Sequence, residues 1–124
     1  MKVTLLSFGF KHGMPEDMNY LWDVRCLPNP HWVDELRPKT GRDYDVSEYV
    51  IGSAAGQDFL KLVKPVLVYL VQQNIVADKE EITIAVGCTG GRHRSVAIVE
   101  VLCDALKVLP VELQCRHRDI DKAS

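Results

Sequence analysis

A chain of 124 residues is sized for one domain with its own core and leaves no room for two large ones. Hydrophobic residues make up 47% and charged residues 26%, the balance of a globular protein. The net charge of -2 excludes a basic nucleic-acid coat, so any nucleic-acid role would rest on a local patch.

The N-terminal run Met1–Ser7 is too short in apolar residues for a signal peptide. No stretch reaches the roughly 20 apolar residues of a bilayer span, and Val63–Val71 is interrupted by Pro65. The expected compartment is the cytoplasm, with no membrane partner. Cys26, Cys88, Cys103 and Cys115 are far apart and form no C-x-x-C pair. Neither a disulfide framework nor a zinc site is expected, and Cys103, at helical spacing from Val99, reads as a small buried hydrophobe. No metal and no cofactor is implied.

In chain order, Val3–Phe8 is β-branched and apolar, a first strand. It breaks at Gly9–Pro15, a turn-rich loop carrying Lys11 and His12, candidate anion contacts. Met18–Val24 reads as a second short strand delivering Asp23 and Arg25 to its end. Arg25–Asp43 holds three prolines and a glycine, which allows at most one helical turn, around Trp32–Leu36. Leu27, Trp32 and Leu36 argue that this long loop is ordered, and such loops are usually functional. It can present Asn29, His31, Arg37, Thr40 and Asp43. Trp22 and Trp32 are assigned to the core, although Trp32 sits where a base or sugar could stack.

Asp45 and Ser47 can cap a short helix through Ile51. A longer helix spans about Gln57–Gln73, with Phe59, Leu60, Val63, Val66, Leu67 and Leu70 on one stripe and a kink or restart at Pro65. Ile82–Val86 reads as a central strand buried on both faces. A helix runs from the following loop to about Lys107, and Val111–Cys115 alternates as a last strand. Alternating strands and helices predict an α/β fold, a small mostly parallel sheet flanked by helices. If the strands are parallel, the loops after Phe8, Val24, Val86 and Cys115 lie at one sheet edge.

The segment Val86–Ser95 has the pattern strand, glycine-bearing turn, helix. Glycines allow a tight turn and close backbone approach, and free N–H groups at a helix start beside Arg92, His93 and Arg94 suit an anion, above all a phosphate. Two chemistries fit. Cys88–Ser95 matches the C-x-x-G-x-x-R-[ST] pattern of cysteine-dependent phosphatases, in which Cys88 would attack phosphorus, Arg94 would hold two phosphoryl oxygens and an Asp, Asp23 or Asp43, would be the general acid. Alternatively, the same loop binds phosphate without chemistry and Cys88 is merely a small residue at a strand end. The loop is not a Walker loop, since no Lys with Ser or Thr beside it follows the glycines. Asp23 can also pair with Arg25 or Arg94.

Several strings together resemble the C-terminal domain of the RapZ (YvcJ-type) family: Ser7–Gly13, Asp23–Trp32, Leu36-Arg37, Thr40-Gly41, Gly87–Val96 and Arg116–Asp119. The resemblance covers almost the whole chain as one domain, 1–124. Full-length members join a P-loop nucleotide-binding domain to this one, and in enterobacteria they are RNase adaptors that bind small regulatory RNAs and sense glucosamine-6-phosphate. The resemblance therefore implies a sensor or adaptor that binds a phosphorylated small molecule such as an amino-sugar phosphate, with a small RNA or a protein as further partner and a homodimer as one assembly. Nucleotide binding is the other binding alternative. Its implied anion pocket comprises Lys11, His12, Asn29, His31, Thr89, Gly90, Gly91, Arg92, His93, Arg94, Ser95, Arg116, His117 and Arg118. Arg92 stands where many members have Lys, which keeps the charge. The P-loop domain lies outside these residues, so the family's ATP or GTP chemistry is not carried over. The chain ends Ile120–Ser124 without the basic tail of RNA-binding members, and RNA binding, if present, predicts a steep salt dependence.

Overall fold

Val3 and Leu5 alternate with Lys2 and Thr4, and this stretch becomes strand β1, Lys2–Gly9, in the computed structural model, which describes residues 1–123. The other strands are β2, Tyr20–Asp23, β3, Glu81–Cys88, and β4, Glu112–His117. They form one sheet in the order β2-β3-β1-β4, with every pairing parallel. Helices α1, Tyr44–Ile51, α2, Ala54–Val76, and α3, Arg94–Leu106, complete an α/β fold.

One face of the sheet feeds the main core. In register, Val3 faces Ile82 and Leu5 faces Ile84, and these side chains meet Leu60, Val63, Leu67 and Val71 of α2 and Ile98, Val99 and Leu102 of α3. Each such aliphatic side chain contributes about 1.5–3 kcal/mol on burial, and truncating Ile84 to Ala would cost about 2–5 kcal/mol. The expectation that β3 is buried on both faces holds only toward its C-terminal end. Thr83 is half-buried, whereas Ala85 and Gly87 are buried. A Cβ on Gly87 would lie 2.5 Å from the Phe8 ring and 2.6 Å from the Phe10 ring, so the aromatic pair closes that face.

The helices differ in detail from the sequence reading. α1 begins at Tyr44, so Asp45 lies in its first turn and Ser47 inside it, and neither is the N-cap. α2 starts earlier than expected because Ser53 Oγ accepts the Gly56 N–H at 3.0 Å. It is continuous through Pro65, which lacks the N–H that the Lys61 carbonyl would otherwise accept. At 23 residues it is, by length and composition alone, long and apolar enough to cross a membrane, contrary to the expectation for this chain. Its Leu60, Val63, Leu67 and Val71 stripe is instead buried in the core.

The cysteine expectation is overturned at two positions. Cys103 of α3 and Cys115 of β4 are joined as a disulfide, with Cα atoms 6.5 Å apart. Parallel pairing of β4 with β1 and packing of α3 against both bring these residues within bridging distance, a proximity invisible in their spacing. Cys26 and Cys88 are free.

Candidate functional site: an anion cleft at the carboxyl edge of the sheet

Because every pairing is parallel, Gly9, Asp23, Cys88 and His117 all deliver their loops to the same edge. Ligands of open parallel sheets bind outside this edge. The loop from Thr89 to His93 turns there through Gly91, whose φ of +78° only glycine adopts without strain. Gly91 also packs tightly, since a Cβ would meet the Gly9 nitrogen at 2.5 Å and Asp119 Cβ at 2.9 Å. A cleft of about 330 Å³ opens above this loop, walled by Asn29, His31 and Trp32 on one side and by Cys88, Thr89, Gly90, Arg92, His93 and Arg94 on the other.

The first turn of α3 has no side-chain cap. Among the described residues, the backbone N–H groups from Gly90 to Val96 find no acceptor. Together with the helix dipole they give this edge the electrostatic character that suits an anion. The cationic side chains around it have a second task. Arg94, 5% exposed, donates from Nη1 to the carbonyls of Arg25 (2.7 Å) and Leu27 (3.3 Å), and from Nη2 to Thr89 Oγ1 at 3.4 Å. His93 donates from Nε2 to the Arg37 carbonyl at 3.1 Å. Arg92 donates from Nη2 to the Pro38 carbonyl at 3.1 Å, and Gly41 N–H returns a bond to the Arg92 carbonyl at 2.8 Å. Three consecutive basic residues thus clamp the 25–41 loop onto the anion loop.

The buried Nε–H of Arg92 has no acceptor among the described residues, an unusual state for a buried donor. The Nδ1 of His93 is not engaged in the Arg37 bond. Burial pushes the His93 pKa below its ordinary value, and the neighbouring Arg92 charge acts in the same direction. The His31 N–H is held by Asn29 Oδ1 at 3.1 Å, capping a single 3-10 turn at Pro30–Trp32, which places that turn one residue or more ahead of the expected one. His31 therefore both belongs to a capped turn and lines the cleft. Trp32 is 76% exposed at the cleft wall, with its ring 5.1 Å from that of His31 and nearly perpendicular to it. Assigning Trp32 to the core is corrected by this exposure; Trp22, packed against the core, fits the assignment.

The remaining sequence-derived candidates lie outside the cleft walls. Lys11 and His12 sit on a 3-10 turn, Phe10–His12. The Lys11 N–H donates to the Thr89 carbonyl at 3.1 Å, so this turn buttresses the anion loop from behind, and the His12 ring lies against the Ala123 carbonyl. Ser95 is buried beneath the cleft with its Oγ 3.2 Å from Cys88 Sγ. Arg116 is exposed on β4, which continues through His117 instead of ending at Cys115. The His117 side chain is largely buried, its Nδ1 2.7 Å from Ser7 Oγ, and burial lowers its pKa. Arg118 pairs with Asp119 at 2.8 Å and donates to the Gly13 carbonyl. Asp23 is bound by Arg25 at 2.7 Å, and that hydrogen bond holds its carboxyl below the usual range. The residue the sequence reading missed is Asp119, fully buried and tied to Gly9 beneath the anion loop. A charged residue after a cationic strand end gave no signal of burial.

A family profile described as the RapZ C-terminal domain matches residues 1–121. The chain belongs to the RapZ C-terminal domain family. Among its relatives are proteins named "Nucleotide-binding protein" from Acidothermus cellulolyticus, 46% identical over 127 residues, from a Nocardioides species, 46% over 122, and from Mycobacterium avium, 47% over 126. Each alignment covers 98% of this chain but only 41%, 40% and 42% of the relative, respectively. The chain therefore spans about two-fifths of the length of the curated relatives it matches. The family and the cleft agree on a binding domain.

Proposed function

We propose that this RapZ C-terminal domain binds the phosphate group of a phosphorylated small molecule in the cleft and acts as a sensor or adaptor for it. The observation that carries the reading is the run of unpartnered N–H groups from Gly90 to Val96 beside Arg92 and Arg94. Net charge does not help such binding; the local cluster does. An amino-sugar phosphate such as glucosamine-6-phosphate is the ligand that the family resemblance favours. Among the described residues no carboxylate lines the cleft, so an amino group would be read by Asn29 and backbone carbonyls and not by an ion pair.

A nucleotide is the second reading, favoured by the names of the relatives and by the exposed Trp32 face at the cleft wall, where a base could stack. The names describe proteins more than twice as long, so their nucleotide site is proposed for this chain only through the cleft itself. Thermal unfolding with inorganic phosphate, glucosamine-6-phosphate, glucosamine and AMP separates the readings. A ligand at a hundred times its Kd stabilises by about 2.7 kcal/mol. Stabilisation by both phosphate and the sugar phosphate, but not by glucosamine, supports the first reading. A larger effect of AMP supports the second, and no effect from any phosphate contradicts both.

A further inference from the structure

We propose that Cys88 is a nucleophile that accepts a phosphoryl group from substrates whose leaving group departs without a proton, namely aryl and acyl phosphates. This rests on the phosphate-binding reading of the same cleft. Cys88 ends β3 at the cleft wall, 2% exposed, and five residues separate it from Arg94. Between them the loop turns at Gly91, and among the described residues its N–H groups up to the start of α3 have no acceptor. Cys88 and the loop bearing those groups line the same cleft, so a phosphate held there lies against the Cys88 wall. Ser95 Oγ lies 3.2 Å from Sγ, where its hydroxyl can donate to a thiolate. Nothing in the binding role calls for a thiol backed by a buried hydroxyl, whereas nucleophilic catalysis uses both.

The step balances without an oxidant or reductant. A thiolate lone pair forms the S–P bond, the bond from phosphorus to the leaving oxygen breaks, and the phenolate or carboxylate departs with its electron pair. Water then attacks phosphorus, the S–P bond breaks, and the electron pair returns to sulfur, where the Ser95 hydroxyl stabilises it. Inorganic phosphate is released and the protons of the water pass to phosphate and solvent.

The same geometry sets the substrate limit. Among the described residues no carboxyl lines the cleft. Asp23, the carboxylate at the end of the neighbouring strand, is held by three contacts from the Arg25 guanidinium and stays ionised at neutral pH. No carboxylic acid is therefore placed to protonate an alkoxide, and the His93 Nε2–H at the cleft wall is committed to the Arg37 carbonyl. Sugar phosphates, with basic leaving groups, are held intact, while activated phosphates react.

The test uses the 124-residue chain with p-nitrophenyl phosphate, acetyl phosphate and glucose-6-phosphate, with intact-protein mass spectrometry after an acid quench. Expected are release of nitrophenolate and of acetate, none of glucose, and a mass increase of one phosphoryl group mapped to Cys88. Cys88→Ser and Cys88→Ala both lose the release and the adduct, and Ser95→Ala accumulates the adduct because sulfur leaves more slowly. Should a variant unfold, protection of wild-type Cys88 from iodoacetate by inorganic phosphate gives an independent reading of the thiol's position. Binding of inorganic phosphate by the wild-type chain without release or adduct overturns this inference alone. Failure to bind phosphate overturns the proposed function with it.

Discussion

Asp119 Oδ2 accepts the Gly9 N–H at 2.8 Å, joining the segment after β4 to the loop after β1 directly beneath the anion loop. Burial raises the cost of the Asp119 charge, but hydrogen bonds from Arg118, Lys122 and Gly9 outweigh it and hold the carboxyl well below the usual carboxylate range. A carboxyl whose folded pKa is depressed contributes stability that is present above its unfolded pKa of about 3.9 and is lost as pH falls toward the folded value. Asp119→Asn should therefore lose about 1–3 kcal/mol at neutral pH, the range for a broken buried hydrogen-bond set. It should also show a flatter stability curve below about pH 4. Urea unfolding across pH checks both, and an unchanged acid limb would show that Asp119 is not the group responsible.

Gly91→Ala meets two obstacles at once. The φ of +78° costs a non-glycine residue about 1–2 kcal/mol, and the added Cβ would sit 2.5 Å from the Gly9 nitrogen. Stability should fall by more than the conformational cost alone, and phosphate binding should weaken because the N–H cradle turns at this residue. Denaturant midpoints and calorimetric titration with phosphate report the two effects separately.

Arg94→Lys keeps the charge and loses the fork. A lysine can reach one acceptor where Arg94 Nη1 alone serves the Arg25 and Leu27 carbonyls. Leaving these buried acceptors unpaired should cost about 1–3 kcal/mol and loosen the 25–41 loop. Hydrogen exchange should quicken in that loop, and phosphate affinity should drop about tenfold or more, the effect of one lost charged hydrogen bond.

His93 should make the proposed anion binding pH-dependent. Its pKa is lowered by burial, so the neutral ring is the folded form, and its contribution to stability is present above about pH 6.5 and declines as pH falls. An anion in the cleft favours the imidazolium. Sulfate, which does not titrate in this range, should thus bind more tightly as pH falls from about 7.5 to about 5.5, with uptake of a proton. His93→Gln should flatten that dependence; an identical slope in the variant would remove His93 from the anion site.

The disulfide closes a loop of sequence separation 12 between α3 and β4. Loops of this size give about 3 kcal/mol in the chain-entropy account. Reduction, or Cys115→Ser, should lower Tm by several degrees while leaving phosphate affinity unchanged, since neither cysteine lines the cleft. Scanning calorimetry with and without a reductant measures it.

The parallel α/β order was legible because β1 and β3 are β-branched runs and helical periodicity separates β2 from β3 and β3 from β4. The strand, glycine turn and helix start at Cys88–Ser95 were legible for the same reason: their signals are local in sequence. Contacts between distant segments were not. That Arg92, His93 and Arg94 clamp carbonyls of the 25–41 loop depends on tertiary placement. So does the pairing of Cys103 with Cys115. Trp32 misled because a large aromatic in an ordered loop usually anchors it, whereas here Leu27 and Leu36 do so and leave Trp32 exposed. Lys11, His12 and Arg116–Arg118 sit at the right sheet edge, but edge position does not decide on which side of the anion loop a side chain falls.

Backbone N–H groups at the start of α3 are proposed to hold a phosphate. Titrating the 15N-labelled chain with inorganic phosphate and following its amide resonances tests this directly. Saturable shifts concentrated from Gly90 to Val96 are expected, greatly weakened in Arg94→Ala. Shifts absent from these amides, or centred instead on Lys11, His12 and Arg116–Arg118, would contradict it.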